Sequence, residues 1–179
     1  MGFDIIEKMD NDGLKEYIRS LLWNFRLVDA FWFIKVEERF GLDAAEQVNE
    51  EVWARVGQLG ARDILKRFGP FPPGVKGVWQ AYSLFPWTVM VDYVVEERER
   101  ELIISMPHCP PQEGRLKHGK GEYVCKHMHG AEFQGFASVI DPAVKVECLY
   151  APPDPHPADC FCKWRFYEAE AGGEVAKTR

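Results

Sequence analysis

The chain has 179 residues, 46% hydrophobic and 28% charged, a composition that suits a folded domain with its own core and excludes disordered and collagen-like chains. Lys and Arg number 22 against 28 Asp and Glu, a net charge of -6, so no basic surplus serves a nucleic acid backbone or an anionic membrane surface. Met1 to Lys8 lacks the apolar core of a signal peptide and no later run reaches spanning length, so we expect a cytoplasmic protein with no nucleic acid or membrane partner.

Residues 12 to 40 read as one long helix, with Leu14, Ile18, Leu21, Phe25, Val28, Trp32 and Val36 at helical spacing and Gly41 as its stop. A second helix starts at Asp43, whose carboxylate with Glu46 three residues on makes a capping box, and runs to Phe68. Gly57 and Gly60 in its middle mark a close crossing or a break. The proline-rich loop from Gly69 to Gly74 divides the chain into two layers of one domain spanning 1 to 179: a helical layer over 1 to 69 and an α+β layer over 75 to 170.

A short helix over Val75 to Leu84 precedes a hairpin of Thr88 to Val95 and Leu102 to Met106, both rich in β-branched and apolar residues. Helical spacing returns over Gly121 to Ile140. Two further strands, Ala143 to Tyr150 and Cys160 to Phe166, flank a proline-rich loop. The order predicts an α+β fold: long N-terminal helices, then an antiparallel sheet (strand, strand, helix, strand, strand) packed on helices. No Gly-rich phosphate loop follows a strand, which leaves nucleotide binding without support.

All five Cys (109, 125, 148, 160, 162) and all five His (108, 118, 127, 129, 156) lie between positions 108 and 162. An odd count of five thiols fits a metal, catalytic or core role better than a disulfide framework. Projecting 121 to 140 at about 100° per residue gathers Val124, Met128, Gly135, Phe136 and Val139 on one face. Cys125 and Glu132 fall within that stripe, His129 falls at its edge, and His127 faces solvent. A carboxylate on a buried face costs several kcal/mol unless it is paired or bound, so Glu132 either meets Arg115 or Arg165 or serves a site. Alternation turns Val144, Val146, Cys148 and Tyr150 inward on one strand, and Cys160, Cys162, Trp164 and Phe166 on the other.

Cys109, Cys125, Cys162 and Cys148 therefore form a candidate zinc set, with His129 or Cys148 as the fourth ligand, because zinc demands four N, S or O donors in no fixed sequence order. Glu132 would act as general base and His129 beside it, with Arg115, His156 and Trp164 lining a small-molecule pocket. The rival chemistry is a metal-free cysteine hydrolase, with Cys125 or Cys109 as nucleophile, His129 as base and Glu132 orienting it or acting as acid. A third reading takes the thiols as core and the aromatic-rich Trp23, Phe25, Phe31, Trp32 and Phe33 as a homodimer face.

The stretch from Cys109-Pro110 through Gly121-Glu122 and Cys125 to Cys162-Lys163-Trp164 resembles a family of uncharacterised prokaryotic proteins. More distantly it is similar to the L-2-amino-thiazoline-4-carboxylic acid hydrolase-like family and to 4-vinyl reductase-type ligand-binding domains. That resemblance implies an α+β domain with a thiol-lined, zinc-containing site at Cys109, Cys125 and Cys162 beside a small-molecule pocket. Where the hydrolase-like pattern has an acidic residue three positions after the helical Cys, Met128 stands here.

Overall fold

A computed structural model describes residues 3 to 168. Contacts divide the chain into two compact units, Met1–Ala45 and Glu46–Arg179. The last two positions of the layer expected over 75 to 170 lie outside the described residues.

The first unit holds α1 (Asp4–Glu7) and α2 (Asn11–Phe40). Asp10 caps α2 by accepting from the Gly13 N–H at 2.8 Å, and Gly41, at φ 90°, takes the left-handed turn that ends it. None of the 30 residues of α2 is buried.

The second unit begins within α3 (Leu42–Phe68), which runs unbroken past Gly57 and Gly60. The glycines mark crossings. A Cβ on Gly57 would stand 2.9 Å from the Glu132 carbonyl oxygen, and one on Gly60 would stand 2.5 Å from the Phe85 ring. The expected capping box does not form. The helix starts before Asp43, and Glu46 accepts a hydrogen bond from the Val124 N–H at 2.6 Å.

After α4 (Gly74–Tyr82), Thr88 to Met90 are helical, in α5 (Pro86–Met90), where a strand was expected. Pro86 explains the difference: proline at the start of a helix brings the right φ, and the N–H it lacks has no partner there anyway. The hairpin follows later, as β1 (Val94–Glu97) and β2 (Glu101–Met106). The same rule accounts for α6 (Pro110–Lys117), a helix the expected elements did not include. Next, α7 spans Lys126–Ile140, and its start falls after Gly121 because Gly119 and Gly121 adopt φ of 68° and 71°. The chain then forms β3 (Val144–Tyr150) and β4 (Cys162–Glu168).

The four strands form one antiparallel sheet ordered β1-β2-β4-β3, so the fold is α+β with long N-terminal helices, as its sequence pattern requires. Register pairs Ile104 with Trp164 and Cys148 with Trp164 across the central strand. Cys162, Trp164 and Phe166 are buried while Lys163 and Arg165 are half-exposed, the alternation of a sheet covered on one face. That face meets α4 and α7 in an aromatic core. Tyr82 packs edge-on to Phe133 and Phe136 with centroids 5.4 and 4.9 Å apart, and Phe133 meets Trp164 at 5.1 Å. No helix among the described residues is long and apolar enough to cross a membrane.

Candidate functional site

Glu132 lies on the inward face of α7 and is 2% exposed. Neither expected arginine meets it: Arg165 binds Glu101 and Glu147, and Arg115, on α6, donates to the carbonyl of Gly121 in the turn that follows. Its partners are proton-exchanging groups instead. Tyr82 Oη donates to Glu132 Oε1 at 3.1 Å, and His129 Nδ1, one turn back on the same helix, sits 2.9 Å from Oε2. A carboxylate when ionised only accepts, so Nδ1 carries the hydrogen and Nε2 keeps its lone pair in the neutral ring. His129 stacks on Phe133 with 5.1 Å between centroids, and its side chain is 23% exposed against 2% for Glu132. The imidazole is thus the reachable end of the pair.

Tyr82 extends the network. Its hydroxyl also interacts with that of Tyr93, just before β1, and Tyr93 in turn lies within electrostatic reach of Glu132, Cys162 and Cys109. Burial, then the Glu132 charge, pushes both tyrosines well above their ordinary pKa, so both remain hydroxyl donors.

Cys109 is the residue just before α6, Cys125 the residue just before α7, and Cys162 opens β4. Each of the three lies within electrostatic reach of the other two. Gln112, fully buried on α6, holds this corner together: its Nε2 donates to the Tyr123 carbonyl at 2.9 Å and to Cys125 Sγ at 3.4 Å, and its Oε1 accepts from the Tyr123 N–H. Burial pushes Cys109 up to about 11, against the pull of the Gln112 backbone N–H, and Cys125 up to about 12. It raises Cys162 further, even though the Trp164 indole N–H faces its sulfur without reaching hydrogen-bond geometry. The thiols are protonated at neutral pH, the opposite of an activated nucleophile. Among the described residues, no three His, Cys, Asp or Glu side chains form a group that could hold a metal ion.

The other expected site residues are dispersed. Cys148 is half-buried on β3, raised by burial to about 11 and within reach of Cys125 and of the Lys126–Asp154 ion pair. His156 bridges the Glu122 carboxylate, at 3.1 Å from Nε2, and the Pro157 carbonyl, at 2.9 Å from Nδ1. Arg115 lies over the Tyr123 ring at 5.8 Å. Trp164 lies in the core against Phe133, and its Nε1 is buried without a hydrogen-bond partner. Sequence reasoning missed Tyr82, Tyr93 and Gln112. The two tyrosines sit in apolar runs that read as core, and a glutamine directly after a proline pair carries no signal of burial.

Fold and site together define an α+β domain with a buried carboxylate–imidazole pair bordered by neutral thiols. The chain belongs to DUF6125, a family of unknown function, whose model matches residues 7–168. No curated protein matches it.

Proposed function

We propose that this protein is a small-molecule-binding domain whose His129–Glu132 pair hydrolyses a small amide-like substrate. The observation that supports this most is the company Glu132 keeps. A carboxylate 2% exposed is matched with an imidazole and a phenol, both able to give or take a proton, rather than with a guanidinium that would only neutralise it. With its Nδ1 hydrogen held by Glu132, His129 accepts a proton at Nε2 from an attacking water and returns it to the leaving nitrogen. Glu132 fixes the tautomer and stabilises the imidazolium formed in between. The likeness of the Cys109 to Trp164 stretch to hydrolase-like and 4-vinyl reductase-type domains adds to this reading. We place the protein in the cytoplasm, a compartment that suits five free thiols.

A second reading keeps zinc. His129 favours it, since a metal-bound imidazole as a rule donates its other N–H to a carboxylate. Cys109, Cys125 and Cys162 would have to lose their protons and close on one ion, with His129 or Cys148 as fourth ligand.

The test is turnover of a panel of small linear and cyclic amides by the wild type, His129→Gln and Glu132→Gln, with zinc content measured on each. His129→Gln should lose about a hundredfold or more in rate, and Glu132→Gln about tenfold to a hundredfold. No turnover of any amide, or turnover that both variants leave intact, overturns the hydrolase. Less than about a tenth of an equivalent of zinc after metal-replete growth overturns the metal.

A further inference from the structure

Between β3 and β4, the loop 151–161 is tied down at both ends. The Pro152 carbonyl accepts from the Cys125 and Lys126 N–H groups at 3.2 Å each, Asp154 Oδ2 meets Lys126 Nζ at 2.7 Å, and the Phe161 N–H donates to the Met106 carbonyl at 2.9 Å. The middle of the loop is in water: Pro155, Pro157, Ala158 and Asp159 are exposed. Proline has no N–H, so neither Pro155 nor Pro157 can anchor the loop as a donor. His156 between them turns back, its side chain 14% exposed, and reaches Glu122 in the segment before α7.

Both nitrogens of that ring face groups that accept. Nε2 lies 3.1 and 3.2 Å from the two Glu122 oxygens, and Nδ1 lies 2.9 Å from the Pro157 carbonyl oxygen. A carbonyl and a carboxylate have no hydrogen to give, so the ring fills both contacts when it carries two hydrogens and a positive charge. Neutral, it turns a lone pair toward one acceptor and loses its charge toward the other. Its other neighbours do not make up the loss. The Cys160 carbonyl is a further acceptor and the Phe161 ring packs at 5.6 Å, while on the same loop Asp154 pairs with Lys126 and Asp159 lies within electrostatic reach of Tyr150. Beyond Glu122 the next titratable group is Cys109. We propose that His156 is a proton-operated latch, holding the middle of this loop against Glu122 while the imidazole is charged and releasing it when the ring becomes neutral. The closed loop holds the His156 proton above the ordinary 6.5, chiefly through the Pro157 carbonyl and then, against burial, through Glu122. Acid therefore favours closure, which is lost as the pH rises through the raised value. The tethered ends confine the opening to residues 155–160, a local event.

NMR of the full chain, with carbon-13 in its alanine methyls and histidine rings, tests this between about pH 5.5 and 8.5. The Ala158 methyl axis should be ordered at the acid end, with an order parameter of about 0.85, and fall to about 0.6 or below at the basic end. The midpoint of that fall should coincide with the titration of the His156 ring, above 6.5. Glu122→Gln keeps an acceptor without the charge, so it should move both midpoints down together. His156→Ala should leave the Ala158 methyl mobile at every pH, with circular dichroism unchanged because the opening is local. Loop order that ignores pH, a midpoint that parts from that of His156, or a loop that stays ordered in His156→Ala overturns the latch.

Discussion

Raising the pH from 8 to 10 separates buried neutral thiols from metal-bound thiolates. Burial raises Cys109 to about 11, Cys125 to about 12 and Cys162 further, each from an ordinary value near 9. Above pH 9 the unfolded chain has therefore lost protons that the native state still holds, and stability falls as the pH rises. Each such thiol contributes a loss of about 1.3 kcal/mol between pH 8 and 10, and the three together about 4 kcal/mol, a large share of a typical domain's stability. Urea unfolding followed by circular dichroism, with reductant and chelator present, measures that loss directly. Cys162→Ala should shrink it by about 1.3 kcal/mol. Zinc reverses the sign, because thiolates that bind metal in the native state make it hold fewer protons than the unfolded chain around neutral pH. A chelated protein that loses less than about 1 kcal/mol over this window refutes the neutral-thiol account.

Glu132→Leu removes the cost of burying a carboxylate but leaves the Tyr82 hydroxyl short of an acceptor, worth about 1–3 kcal/mol. Stability should stay within about 2 kcal/mol of wild type while ligand or zinc binding falls at least about tenfold; a melting temperature many degrees lower with binding intact refutes the site. Gly57→Ala puts a methyl 2.9 Å from the Glu132 carbonyl, so α7 must shift. The strain, about 1–3 kcal/mol, should outweigh the roughly 1 kcal/mol that alanine gains as a helix former, and denaturant midpoints would show it. His156 should titrate above its ordinary 6.5 in proton NMR, held up first by the Pro157 carbonyl and then by Glu122; Glu122→Gln should lower its pKa without restoring 6.5. All three site thiols should react with iodoacetamide more slowly than free cysteine at pH 7, and a fast one would revive the nucleophile.

Periodicity exposed the parts of the site that depend on faces. Alternation put Cys162, Trp164 and Phe166 inward because the sheet is covered on one side, and helical spacing marked Glu132 because a charge interrupts an apolar stripe. It could not name the partner of Glu132. Tyr82 reaches it across 50 residues, and an aromatic in an apolar run looks the same whether or not its hydroxyl is bonded. Local rules also failed where two of them competed. Thr88 to Met90 read as strand, yet Pro86 starts a helix there, and Glu46 read as part of a cap, yet it bonds a backbone amide 78 residues away. Gly57 was ambiguous for the same reason, since the crossing it permits is written in α7.

In the sheet, β2 ends at Met106 and its neighbour β4 begins at Cys162, paired residue to residue. Everything between them, including His129 and Glu132, lies inside a loop that this ladder closes. A chain emerging from the ribosome has made α7 long before it has made β4, yet Tyr93, Cys109 and Cys162 come together only once the ladder zips. The surroundings of the pair therefore assemble late in folding, although the pair itself lies within one turn of α7. A ribosome-stalled chain ending shortly after Tyr150 should hold a helical α7 whose histidine has no completed site around it.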